Sequence, residues 1–360
     1  MSSAEGVIKA VKFGDINLND PFFDSLKEAY REFSDWFERK HEEKAFIVYD
    51  DEDCVQAFLY LKVEHGPVVD IEPPLMTSKC LKVGTLKINA RGTKLGERFV
   101  KKIVDTAIFN DVRHCYVTVF QQHEVLIKIL TRYGFKQYGV KHTKNGTENV
   151  YLKDMTRISG DLLTDYPIID ARKSQKWLLA IYPKYHSILF PDSILKTEDA
   201  SIVDDVSFSN SIHKAYLGHA VELPKIKIGD CIVIYRCVSP QNNEIAWYRS
   251  VATSLCVVEE IRKKSSFTSK EDLVAYCQKY SVFSSDDICN LYDMKKRTEL
   301  HTIKMMYNIA FPKRPILKDL VEHAGLPDPK STYYGLVRLT DDQFKDILAL
   351  GQIYEGLVIN

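Results

Sequence analysis

Apolar and polar positions alternate over residues 7–13, which predicts a strand. They then recur at helical spacing as Phe22, Leu26, Tyr30 and Phe33 behind Asp20-Pro21, with a second short helix carrying Trp36 and Phe37. Residues 45–49 and 54–64 read as apolar strands joined by the acidic turn Asp50-Asp51-Glu52-Asp53. A further alternating run, 81–88, leads into Arg91-Gly92-Thr93-Lys94-Leu95-Gly96-Glu97, from which an amphipathic helix continues to about Phe109. Residues 115–120 form a buried strand and 123–133 a helix stopped by Gly134-Phe135. Two last strands flank the hairpin turn Lys144-Asn145-Gly146-Thr147.

Periodicity fades after Met155. Residues 156–173 hold Gly160, Pro167 and several Asp without a clear period and read as a linker, so the predicted domains are 1–155 and 174–360. A chain of 360 residues exceeds what one core usually supports. In the second half, 177–181 and 231–236 are apolar strands, the latter behind a Gly229-Asp230 turn, and 246–261 reads as a long strand pair. Helices are expected at 270–280 and 286–292, capped by Ser269 or Ser285, with a late strand at 304–312 and a helix at 315–324. A final helix is capped by Thr340. The segments Lys184-Tyr185-His186 and His213-Lys214-Ala215-Tyr216 read as loop or helix edges that could line a pocket.

The strand, glycine turn and helix start around Arg91 suit an anion, because unpaired N–H groups and the positive end of a helix dipole converge there. The order strand, two helices, hairpin, strand, Gly-rich turn, helix, strand, helix, hairpin resembles the GNAT family of acetyl-CoA-dependent acyltransferases over roughly the first 155 residues. Arg91, Gly92 and Gly96 match its pyrophosphate loop, with Lys94 where a central glycine is usual, and Leu130-Thr131-Arg132-Tyr133-Gly134-Phe135 resembles its helix-plus-Gly-Phe signature. That resemblance implies an α+β fold with a mixed central sheet flanked by helices. It implies acetyl-CoA held by Leu86, Lys87, Ile88, Arg91, Gly92, Thr93, Lys94, Leu95, Gly96 and Glu97, with His123 where a cofactor-contacting asparagine often stands. The tyrosine that commonly protonates the leaving thiolate falls on Leu130, so Tyr133, His123 and Tyr116 are the acid or base candidates, with Glu64 and His65 across the hairpin. The alternative for Tyr116 and Tyr133 is a place in the core.

The Gly229-Asp230 turn into 231–236, followed by Ser250-Val251-Ala252-Thr253-Ser254, resembles the PUA-like superfamily, especially its ASCH and EVE-type domains. It implies a second domain built as a β-barrel with helical insertions and a role in reading RNA or modified bases. Lys295, Lys296, Arg297, Lys214 and Tyr216 are the nucleic-acid-binding candidates. Charge gives this limited support: Lys plus Arg and Asp plus Glu both total 49, and from Ala171 onward the two signs nearly cancel.

The ten His and eight Cys lack close metal-ligand spacing, so no metal is expected, and cysteines placed as small apolar residues suit a reducing compartment. Without an apolar run near the roughly 20 residues that span a bilayer, the chain is expected to be cytoplasmic and to have no membrane partner. The combined expectation is an N-acetyltransferase whose second domain recruits an amine acceptor: an RNA-associated base or aminoacyl group, or else a protein or small-molecule amine. The rival expectation is an adaptor that has lost catalysis. Dimers through sheet edges are compatible with the first resemblance.

Overall fold

The computed structural model describes residues 7–89, 94–190, 211–238, 246–278, 280–281, 283–353 and 356–360. The chain divides into two compact units, Met1–Asp165 and Tyr166–Asn360, and the fold is α+β.

In the first unit the elements follow the order β1 (Lys9–Lys12), α1 (Asp24–Ala29), α2 (Phe33–Glu38), β2 (Lys44–Tyr49), β3 (Val55–His65), β4 (Lys79–Ile88), α3 (Leu95–Phe109), β5 (His114–Val119), α4 (Glu124–Arg132), β6 (Lys136–Thr143), β7 (Gly146–Asp154) and α5 (Leu162–Asp165). Seven strands make one mixed sheet in the order β1-β2-β3-β4-β5-β7-β6, in which only β4 and β5 run parallel. One face carries an aromatic cluster: Phe13, Phe22, Phe23, Phe33 and Phe37 pack on Phe58 and Tyr60. Ring edges meet faces, as for Phe23 and Phe58 at 5.5 Å, the arrangement that aromatic quadrupoles favour. The single helix expected from Asp20 onward is broken, with a short 3-10 turn at Pro21–Phe23 before α1 and a change of direction at Tyr30, whose backbone is extended.

The other face carries α3 and α4. The positions Leu95, Phe99, Val100, Ile103, Val104 and Ala107 of α3 are buried at the 3.6-residue period read from the sequence. Helix α4 ends as Gly134-Phe135 implied: Phe135 N–H reaches the Leu130 carbonyl and Gly134 N–H that of Thr131, both at 3.1 Å, with Gly134 at φ +82°. The buried Lys153 ammonium then donates to the carbonyls of Tyr133 (2.7 Å) and Thr164 (3.1 Å). Burial pulls its pKa down to about 8.

The 156–173 stretch, read as a linker, contains α5 and buries Tyr166, Ile168, Ile169 and Ala171. The division between units falls inside it, after Asp165. Its Asp residues serve local turns, with Asp161 accepting from Thr164 N–H and Asp165 from Ser159 and Gly160, so a polar composition conceals ordered chain.

The second unit contains β8 (Ile169–Asp170), β9 (Lys176–Ile181), α6 (Pro183–Leu189), β10 (His213–Gly218), β11 (Cys231–Arg236), α7 (Ala246–Arg249), β12 (Val251–Lys263), α8 (Lys270–Gln278), α9 (Ser285–Asp293), β13 (His301–Ala310), α10 (Leu317–Glu322), β14 (Leu336–Leu339), α11 (Asp341–Leu350) and β15 (Val358–Ile359). The expected barrel takes the form of a six-stranded sheet ordered β10-β13-β12-β11-β9-β14, whose edges among the described residues are β10 and β14. The short strands β8 and β15 pair separately. Trp177, Ile232, Ile234, Cys256, Met305 and Tyr307 belong to its main core.

Three expectations change here. Residues 246–261 are a short helix and one long strand, because β12 finds its partners in β11 and β13 rather than in a hairpin of its own. The cap of α9 is Ser284, which closes a capping box with Asp287. Residues 213–216 are strand, with Lys214 and Tyr216 on opposite sides of Ala215 in β10 and all three paired to β13.

Candidate cofactor and acceptor site

The parallel strands β4 and β5 pair at three positions only: Leu81 with Cys115, Lys82 with Tyr116, and Val83 with Val117. Beyond Val83 each strand follows its other neighbour, β4 staying on β3 as far as Ile88 and β5 on β7 as far as Val119. The split begins at Gly84, an extra residue on β4, since Tyr60 pairs with Thr85 while the adjacent Leu61 pairs with Val83. Such a bulge re-aims a strand. A Cβ on Gly84 would stand 2.6 Å from the Tyr60 ring, so this position has no room for a side chain as the ring now lies. The result is a wedge between the carboxyl ends of adjacent parallel strands, the place where open α/β sheets receive ligands.

Leu86, Lys87 and Ile88 form the β4 wall of this wedge and are half-buried. The Lys87 side chain is committed elsewhere. Its ammonium donates to the Phe22 carbonyl and to Ser25 Oγ (2.6 Å) and lies 4.6 Å from the Phe22 ring centre, while burial lowers its pKa. Its main chain is therefore what remains for a ligand.

Arg91, Gly92 and Thr93 lie outside the described residues. Helix α3 begins at Leu95, with Lys94 at the N-cap and Arg98 N–H on the Lys94 carbonyl at 3.0 Å. By helix geometry the N–H groups of Leu95, Gly96 and Glu97 have no acceptor one turn back inside the helix. Leu95 is buried, and Glu97 accepts from Arg132 at 3.2 Å. Gly96 also has a packing role. A Cβ there would come within 2.6 Å of Ile129 Cδ1, so its bareness lets α3 and α4 approach.

The three candidates for proton transfer are not brought together. Tyr116 is fully buried beside Lys82, and its hydroxyl donates to Glu64 Oε2 at 2.6 Å. Burial, reinforced by that carboxylate, raises its pKa well above the ordinary phenol value. Tyr133 is fully buried at the C-cap of α4, with the Arg132 guanidinium 5.6 Å from its ring centre. Both tyrosines thus occupy the core. His123 is the exposed N-cap residue of α4 and makes no side-chain cap bond.

Sequence reasoning passed over a pair beside the carboxyl end of β5. The Tyr30 hydroxyl donates to Glu148 Oε1 at 2.6 Å, and the Tyr30 ring lies 5.7 Å from Phe120, just past β5. Glu148 is only 4% exposed. The signal was available: Glu148 shares the alternation of Val150 and Leu152, both packed in the cluster that includes Tyr116, so an acid stands on an inward-facing register.

In the second unit Lys295, Lys296 and Arg297 are exposed just beyond α9. Lys214 does not share their surface. It is fully buried, its ammonium 5.8 Å from the Phe190 ring centre and 5.6 Å from that of Tyr307. Tyr216 packs on the main core. Among the described residues no cluster of His, Cys, Asp or Glu could hold a metal ion, and no helix is long and apolar enough to cross a membrane.

No family model matches the sequence, and no curated protein matches it. Solved structures with partial likeness include an ASCH protein of Zymomonas mobilis, 11% identical, covering 51% of this chain and 99% of its own at a TM-score of 0.32. A Campylobacter jejuni N-acetyltransferase in complex with acetyl coenzyme A is 16% identical, covering 41% and 99% at a TM-score of 0.28. A GNAT family acetyltransferase of Elizabethkingia anophelis with acetyl-CoA bound is 8% identical, covering 42% and 98% at 0.32.

Proposed function

We propose that the first unit is an acetyl-CoA-dependent N-acetyltransferase. The observation that carries this reading is the wedge itself: two parallel strands that part after Val83 and Val117, with the start of a 15-residue helix following the β4 side. A linear ligand with an anionic group would place that group at the first turn of α3, where N–H groups and the helix dipole favour negative charge. Its remainder would lie along the main chain of Leu86 to Ile88, which has β3 on one edge and the wedge on the other. Bound there, acetyl-CoA supplies an activated acyl carbon. The protein's part is to hold that carbon in the split, away from bulk water, and to admit an amine from the aromatic face.

Recruitment of the acceptor by the second unit is part of the same proposal. For an RNA-borne acceptor, the buried position of Lys214 leaves the exposed run Lys295, Lys296 and Arg297 as the electrostatic support.

The test is calorimetric. Lys94→Glu puts a negative charge at the start of α3, which the helix dipole favours, yet it opposes an anion at the same place. We expect full-length protein to bind acetyl-CoA and this variant to lose about tenfold in affinity or more with its helix content kept. Equal affinity in the variant, or none in the parent, defeats the reading.

A further inference from the structure

We infer that Glu148 is the recognition group for the acceptor and that the acceptor class is an aliphatic ammonium rather than a neutral aromatic or nucleobase amine. This rests on the acyltransferase reading above. On the aromatic face, the segment from Phe22 to Tyr30 runs from β4, one wall of the wedge, to Phe120 just past the end of β5 and to Glu148 on β7, the next strand. Its first end holds β4 through the Lys87 ammonium on the Phe22 carbonyl and Ser25 Oγ. Its last end holds β7 through Tyr30 and Glu148, with Phe120 beneath the Tyr30 ring. Beyond it, Asn145 in the β6–β7 turn donates to Glu32 at 2.9 Å, a second tie across the same side. A ligand whose anionic end lies at α3, and which passes between the parted strands, emerges on the opposite face beneath this strap. Glu148 is the carboxylate waiting there.

Its surroundings point to a cation. Among the described residues no Lys, Arg or His stands within ion-pair distance of Glu148, and the neighbouring β6 lysine, Lys141, is paired with Asp70 at 2.5 Å. Among the described residues, the hydrogen-bond partner of this nearly enclosed carboxylate is the Tyr30 phenol. A buried carboxylate with a neutral partner gains from a charged donor. The partly exposed Tyr30 hydroxyl occupies the donor position that an alkylammonium would take. That ammonium would pass one proton to the Glu148 carboxylate, freeing the nitrogen lone pair to form the new C–N bond as the thioester C–S bond breaks and the thiolate leaves. A nucleobase exocyclic amine is uncharged at neutral pH and would exchange one neutral donor for another.

The experiment uses the full-length protein with acetyl-CoA and two probe amines, n-hexylamine as the ammonium and aniline as the neutral control, following thiol release, with acetyl-CoA affinity measured in parallel. We expect hexylamine to be preferred. Glu148→Gln should raise its KM at least about 30-fold and leave acetyl-CoA affinity unchanged. Tyr30→Phe, which removes the competing donor, should lower the hexylamine KM. Normal acetyl-CoA affinity with an unchanged hexylamine KM in Tyr30→Phe and in Glu148→Gln overturns the assignment of Glu148 while sparing the acyltransferase reading. The same holds if aniline is preferred. Loss of acetyl-CoA binding in the parent protein overturns both. Should Glu148→Gln fail to fold, the direction of the Tyr30→Phe shift decides.

Discussion

The two sheets handle strand pairing in opposite ways. In the first unit the central β4–β5 ladder stops after three pairs and the strands part. In the second, β12 and β13 remain paired from Ser254 and Ala310 to Lys263 and His301, passing two irregularities without separating. Both sheets contain bulges, so a bulge alone does not open a sheet. The first opens where the extra residue Gly84 falls on one strand of a parallel pair. Parallel strands with separate antiparallel partners do not part by themselves, since β9 and β11 have the same arrangement in the second unit and stay paired over six positions. The second stays closed because β12 is held on both sides by antiparallel neighbours, β11 and β13. The open seam is where the proposed ligand would enter, while both units enclose polar groups, Lys153 and Glu148 in the first and Asp230 and His186 in the second.

The largest expected effect tests the closed side. Asp230, 3% exposed, accepts from Trp177 Nε1 (3.0 Å), Gln175 N–H (3.0 Å) and Lys227 N–H (2.9 Å), joining the turn before β11 to the start of β9. Asp230→Ala leaves three donors without their acceptor, and at about 1–3 kcal/mol for each such group we expect a loss of about 3–5 kcal/mol. Hydrogen exchange of β9 and β11 amides should rise while that of β3 and β4 stays constant. An equal rise in both units would mean that the two sheets do not respond separately.

Next comes the joint behind the open seam. Gly134 has a left-handed φ, and a Cβ there would lie 2.1 Å from the Thr164 carbonyl oxygen, the oxygen that also receives Lys153. Gly134→Ala therefore combines backbone strain with a clash against main chain. We expect a loss of about 2–3 kcal/mol, read as a lower urea midpoint for the transition of the first unit. A change under half a kcal/mol would show that the α4 terminus shifts freely, and with it the α3–α4 contact at Gly96.

Much of this architecture was legible because local signals and long-range pairing agree. The β6–β7 turn, the Gly134 stop, the period of α3 and the Thr340 capping box with Gln343 stand where pattern and turn chemistry put them. What was not legible depended on partners distant in sequence. Lys214 and Tyr216 looked like a pocket edge because His, Lys and Tyr are polar at their tips. Strand pairing to β13 and the rings of Phe190 and Tyr307 enclose the lysine. Tyr116 could be read either as a proton donor or as core, and only the fold reveals Glu64, fifty-two positions away, as its partner. Conversely, Tyr30 and Glu148 are separated by 118 positions, so spacing arguments had no means of joining them.

The smallest effect near neutral pH concerns what the closed sheet encloses. His186 in α6 is fully buried, with Nε2 2.8 Å from Thr253 Oγ1, which itself donates to the Ile234 carbonyl at 3.3 Å. With Thr253 donating onward, the imidazole donates from Nε2 and is neutral. Burial first, then the nearby Arg236 and Arg314 charges, lowers its pKa to about 3. An unfolded histidine titrates near 6.5, so between these values the unfolded chain binds a proton that the folded chain refuses. Stability must then rise with pH in that window. Acidification from about pH 6.5 toward 3 should cost the second unit up to about 1.4 kcal/mol per pH unit through this one ring. Between pH 7.5 and 6.5 the contribution is small. His186→Gln retains an amide donor for Thr253 but cannot take up a proton. Its stability at pH 7.5 should fall modestly, and the difference from the parent should shrink and then reverse as the pH drops toward 5. Amide exchange in β11 and β12, measured at pH 7.5, 6.5 and 5.5, provides the comparison, with β2 and β3 as the internal reference. Parallel pH slopes in parent and variant would mean that the imidazole finds a way to charge inside the fold, and that the closed sheet is less closed than its ladder implies.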